Sequence, residues 1–151
     1  MPTNVFGYND NYDLNSSHFL PALIRKISDA IIYKKKTIYL WGNGTPKREI
    51  MFARDLARAS VFFLGKKIKE NLINIGTGYE KKIADYAKFF IKNFYPKLKI
   101  KYIKKNLNGT PRKILDCKIA KKYKWNPVYN VERELKNVFT YFHNKNVSKN
   151  K

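Results

Sequence analysis

Leu72-Ile73-Asn74-Ile75-Gly76-Thr77-Gly78 reads as a short buried strand that breaks at a glycine-bounded turn. Directly after it, Ile83, Ala87, Phe90, Ile91 and Phe94 recur at helical spacing and make one apolar stripe, stopped by Pro96. Residues 98–103 then return to strand character. A strand, a helix and a strand in so short a span predict an α/β fold.

Upstream, Leu20, Leu23, Ile24, Ile27 and Ile31 predict a helix that Ser16 or Ser17 could cap, with Pro21 tolerated in its first turns. Residues 37–41 form a β-type run closed by Gly42-Asn43-Gly44-Thr45-Pro46, residues 48–52 a second short strand, and Asp55 opens another helix. Downstream, residues 106–112 read as a loop, residues 116–123 as a short helix, and Val131, Leu135, Val138, Phe139 and Phe142 mark a last one. One domain over residues 1–143 is expected, followed by a flexible basic tail over residues 144–151.

The chain has 151 residues and a net charge of +21, yet 26 of its basic residues are lysine and only six arginine. Lysine, Asn, Ile, Tyr and Phe are all abundant and all have A/T-rich codons, so genome composition explains the charge without a polyanionic partner. Nucleic acid is therefore the less favoured partner, because base reading and two-point phosphate contact draw on arginine. No apolar run reaches the roughly 20 residues of a membrane helix, and the first residues carry no secretion signal. Cys117 is the one cysteine, which excludes an internal disulfide and a cysteine-based zinc cluster; no metal is expected, and the cytoplasm is the expected compartment.

No glycine trio matches the turn that cradles a dinucleotide pyrophosphate. Gly42 and Gly44 meet Lys47 at the third position, and Gly76 and Gly78 meet Lys81. Tyr95/Lys99 and Tyr141/Lys145 have the spacing of a reductase Tyr-x-x-x-Lys pair. Pro96 interrupts the first, and the second falls at the end of the last helix, so neither is taken as catalytic.

Four stretches in order resemble the C-terminal half of the GDP-L-fucose synthase family, NADP-dependent epimerase/reductases among the extended short-chain dehydrogenases. They are Pro2-Thr3-Asn4-Val5-Phe6-Gly7-Tyr8-Asn9-Asp10-Asn11-Tyr12 with Asn15-Ser16-Ser17-His18 and residues 20–26, then Trp41-Gly42-Asn43-Gly44-Thr45-Pro46-Lys47-Arg48-Glu49, then Asn74-Ile75-Gly76-Thr77-Gly78, then Asn108-Gly109-Thr110-Pro111-Arg112-Lys113-Ile114-Leu115-Asp116. The resemblance implies a substrate-binding lobe whose strands would complete a Rossmann sheet, with the cofactor-binding half absent from this chain. It implies a GDP-sugar substrate, GDP-4-keto-6-deoxymannose, epimerised at two positions and then reduced with hydride from NADPH, bound mainly by the missing half.

By the same resemblance His18 is the catalytic acid/base, and Pro2, Thr3, Asn4 and Val5 run with it beneath the nicotinamide end of NADP. Inverting a carbon beside a ketone needs a proton taken from one face and returned to the other, which imidazole does near neutral pH. Lys26, Trp41, Arg48 and Asn108 match substrate-binding positions; Asn108 stands where the family has Asp, and Phe52-Ala53-Arg54 replaces its His-Val-Asp. His18, Trp41 and Arg48 are expected to converge on one hollow. Alone the chain should be inactive, with the Rossmann half supplied as a separate chain or lost; a homodimer stays open. The alternatives are a catalytically dead nucleotide-sugar-binding remnant and a lysine-rich nucleic-acid binder.

Overall fold

The computed structural model describes residues 1–103 and 109–149. The strand with the densest apolar content organises it. β3 (Lys47–Phe52) ends in Ile50-Met51-Phe52, all fully buried, so both faces of the sheet must be covered here. Ile50 and Phe52 enter a large apolar cluster, and Met51 enters a smaller one with Ala59, Ile75, Ala120 and Trp125. Burial of each such side chain contributes about 1.5–3 kcal/mol, which fixes β3 at the centre.

β4 (Glu80–Lys82) runs antiparallel along one edge of β3, at residues 47–49. The other edge is shared. β6 (Arg112–Lys113) pairs in parallel with Lys47 and Arg48, and β1 (Asn4–Phe6) pairs in parallel with residues 50–52. Between them the Glu49 carbonyl accepts from Thr3 Oγ1 at 3.2 Å and from Asn4 Nδ2 at 2.7 Å. β2 (Thr37–Trp41) does not join this sheet; it pairs in parallel with β5 (Lys99–Ile103) in a ribbon of its own.

α1 (Phe19–Ile32) packs against α3 (Ile83–Phe94) and α5 (Val131–Lys149), burying Leu23, Ile24 and Ile27 against Phe90, Leu135 and Phe139. On the other side of β3, α2 (Ala53–Leu64) and α4 (Lys118–Lys122) contribute Ala59 and Ala120 to the smaller cluster. The α/β reading thus holds, with three differences of detail.

Residues 72–75 make only an isolated bridge, Pro2 with Ile75, rather than a strand in a sheet. The α1 cap falls on His18 and not on Ser16 or Ser17, because Ser17 N donates back to Asp13 O at 2.9 Å. The tail expected from residue 144 is helical to Lys149. Its physical reason is Asn146, which is buried and donates to Ser28 Oγ at 3.2 Å and to Asp29 Oδ1 at 2.9 Å, tying the last turns of α5 to α1.

Candidate functional site

The shared edge of β3 leaves a hollow of about 470 Å³ where β6 stops and β1 begins. Pro2, Thr3, Asn4 and Val5 form one wall, His18 with the first turn of α1 another, and Lys113 with Leu115 the rim. This is the size of an ordinary small-ligand pocket, mostly apolar with a few convergent polar groups. His18 is exposed and its side chain makes no capping bond. Burial pushes the nearby Asp10 carboxyl up, opposed by a hydrogen bond from Asn11 N and by the charge of His18.

Glu49, quoted above only as the end of a motif, anchors one rim residue of this hollow. Its side chain is fully buried, Oε1 accepting from Gly78 N at 2.7 Å and Oε2 from Leu115 N at 3.0 Å. One carboxylate thus ties the turn after Ile75 to the segment after β6. Gly76 is required there, since a Cβ at that position would collide with the Glu49 carboxylate and come 3.1 Å from Cys117 Sγ. Burial, then the Glu49 charge, push the Cys117 thiol up, so it is a half-buried packing residue. No sequence signal marked Glu49, because a buried carboxylate is recognised only by the two distant N–H groups that meet it.

The other expected site residues lie elsewhere. Lys26, two turns along α1 from His18, places its Nζ 5.4 Å from the centroid of the Trp41 ring and donates to Tyr39 O at 2.9 Å. Burial pulls its ammonium pKa down. Trp41 is 62% exposed at the end of β2. Arg48 Nη1 donates to Thr110 O at 2.7 Å and to Lys47 O at 2.8 Å, and its ladder partner Lys113 lines the hollow.

Convergence of His18, Trp41 and Arg48 on one hollow is therefore corrected. The hollow takes in His18, whereas the Arg48 guanidinium is turned to Lys47 O and Thr110 O, and Trp41 sits apart because β2 belongs to the second sheet. Asn108 lies outside the described residues. Of the two Tyr-x-x-x-Lys pairs, Tyr141 donates to Asn9 Oδ1 at 3.3 Å with Lys145 over its ring, and Tyr95 ends α3. Among the described residues there is no cluster of metal-ligating side chains, and no helix is long and apolar enough to cross a membrane.

A GDP-L-fucose synthase of Sinorhizobium fredii is 38% identical to this chain over 132 residues, covering 87% of this chain and 42% of that protein. A GDP-L-fucose synthetase from Naegleria fowleri shares the fold with a TM-score of 0.83 at 23% identity, over 93% of this chain and 44% of that one. A GDP-mannoheptose C4 reductase from Campylobacter jejuni, solved with NADP bound, gives a TM-score of 0.71 at 22% identity, over 93% of this chain and 51% of that one. The chain spans less than half the length of the curated relatives it matches. With residues 1–76 matching its sequence profile, and with the α/β fold in place, the chain belongs to the NAD dependent epimerase/dehydratase family.

Proposed function

We infer that this chain is the GDP-sugar-binding half of a GDP-L-fucose synthase, acting in the cytoplasm and inactive without a cofactor-binding half. The observation that carries this reading is the hollow between Pro2–Val5 and His18, in a chain 38% identical to such a synthase. On this reading the ketone of the sugar lies in that hollow, within reach of the His18 imidazole. The ring acts on one face of the carbon beside the ketone, taking or delivering one proton there, while a second acid/base on the other half makes the matching transfer on the opposite face of the enolate. The rest of the nucleotide sugar follows α1 toward Lys26, about 12 Å further along at 1.5 Å per residue, and the Trp41 ring beside it.

The lining fits the ring end of a nicotinamide cofactor. Pro2, Val5, Phe19 and Pro21 are apolar, and the polar ends of Thr3 and Asn4 are both bonded to Glu49 O. A nicotinamide held by these residues would supply hydride to the ketone. The pyrophosphate has no glycine-rich cradle among the described residues, so its binding falls to the other half. The surface supports a missing partner. Val61, Leu64 and Leu72 are 72%, 84% and 58% exposed, and a groove beside them is lined by Pro2, Leu56, Phe63, Ile73 and Ile75. An apolar surface of this kind beside an open strand edge is suited to being covered by another chain.

The test mixes this chain with the separately expressed N-terminal half of the Sinorhizobium relative, GDP-4-keto-6-deoxymannose and NADPH. NADPH absorbance should fall only when both polypeptides are present. GDP-sugar binding without turnover in the mixture would instead identify a catalytically dead module, and absence of both would end the reading.

A further inference from the structure

One face of the β2–β5 ribbon is turned into the core, where Ile38 and Leu40 are buried against α1. Alternation along a strand places Tyr39 and Trp41 on the opposite face, with Lys99, Lys101 and Ile103 beside them on β5. Tyr39 is 52% exposed, and both lysines are exposed. Positions two apart on a parallel strand are about 6.6 Å apart, close to two steps of a stacked strand at roughly 3.4 Å each. Lys101 is the register partner of Tyr39, and Lys26 closes the end of the face over the Trp41 ring. No acidic residue occurs in β2 or β5.

We propose that this face binds single-stranded nucleic acid, bases stacking on Tyr39 and Trp41 and phosphates passing Lys26, Lys99 and Lys101. The charge of the whole chain carries no part of the argument; the placement of rings between cations does. Aromatic platforms flanked by basic side chains hold single strands with little sequence preference, because every base offers a flat face. Lysine serves such a site, as bidentate reading of base edges is not needed. The proposal is independent of the cofactor half, although Lys26 and Trp41 are shared with the nucleotide-sugar reading.

The test titrates the intact chain into fluorescein-labelled oligo(dT) and follows anisotropy, with tryptophan emission as a second readout. Trp125 is buried, so stacking should quench the exposed Trp41. Tyr39→Ala should weaken binding about tenfold, the loss of one stacked base, and leave thermal unfolding unchanged. Lys101→Glu should weaken binding and reduce the slope of log affinity against log salt by about 0.7 or more. Two outcomes overturn the proposal: no binding, or inorganic polyphosphate competing as well as oligo(dT) with Tyr39→Ala silent.

Discussion

Replacing Glu49 by Gln tests whether one buried carboxylate ties the turn after Ile75 to the segment after β6. In the native chain two backbone N–H groups, from Gly78 and Leu115, each donate to a separate carboxylate oxygen at 2.7 and 3.0 Å. Gln keeps the shape but only one acceptor, so one N–H faces the amide NH₂ donor instead. A hydrogen bond to a charged group contributes about 1.5–3 kcal/mol, and an orphaned buried donor costs a similar amount. We therefore expect Glu49→Gln to destabilise by about 2–3 kcal/mol. Glu49→Ala, which leaves both donors unmet, should cost about 3–5 kcal/mol. In a domain of this size each kcal/mol lowers the melting temperature by about 2–4 °C. The Gln variant should thus melt about 5–10 °C below the parent, measured by circular dichroism and by urea unfolding. A Gln variant within about 0.5 kcal/mol of the parent, the range of ordinary surface changes, would refute the reasoning. Hydrogen exchange adds a local readout, since the Gly78 and Leu115 amides should lose protection first.

His18→Gln, assayed with the cofactor half present, should slow solvent-deuterium incorporation beside the ketone by about 10²–10⁴-fold while GDP-sugar affinity changes little; unchanged exchange would remove His18 from the chemistry. His143 is packed against Phe139 and lies 3.0 Å from Ser28 Oγ, and burial lowers its pKa from 6.5. The folded ring therefore binds fewer protons than the unfolded one. Its contribution should be intact above the ordinary imidazole range and be lost as pH falls below it, at no more than about 1.4 kcal/mol per pH unit. His143→Gln should flatten the stability profile between about pH 7 and 5, and an equal slope in both proteins would contradict this. Gly44→Ala should destabilise by about 1–3 kcal/mol, because Gly44 has φ +74° and an added Cβ would lie 2.7 Å from Tyr102 Cε1; equal urea midpoints would show that the turn yields freely. Leu64→Lys combined with Leu72→Lys should keep the isolated chain monodisperse in light scattering and reduce turnover with the cofactor half, and unaltered turnover would place the partner elsewhere.

What the sequence determined by itself is local. Apolar residues at helical spacing located α1, α3 and the start of α5, and a five-residue β-type run located β2 to the residue, because side-chain period and turn residues act over a few positions. His18 and Pro2–Val5, which the motif stretches bracket within one strand-to-helix connection, line one hollow in the structure. The two-residue β6 and three-residue β4 carry too few side chains to show a period and exist only as partners of β3.

Tertiary structure alone decided the rest. Whether β2 would pair with β3 or with β5 depends on which long-range ladder buries Ile38 and Leu40, and that pairing separates Trp41 from the His18 hollow. Glu49 became a structural centre only when Gly78 and Leu115 were brought to it from 29 and 66 residues away. The last turns of α5 looked polar and loose, yet Asn146 finds Ser28 and Asp29 across more than 100 positions of chain. Polar side chains of this kind have no periodic signature, and their energetic value arises from partners that folding alone supplies.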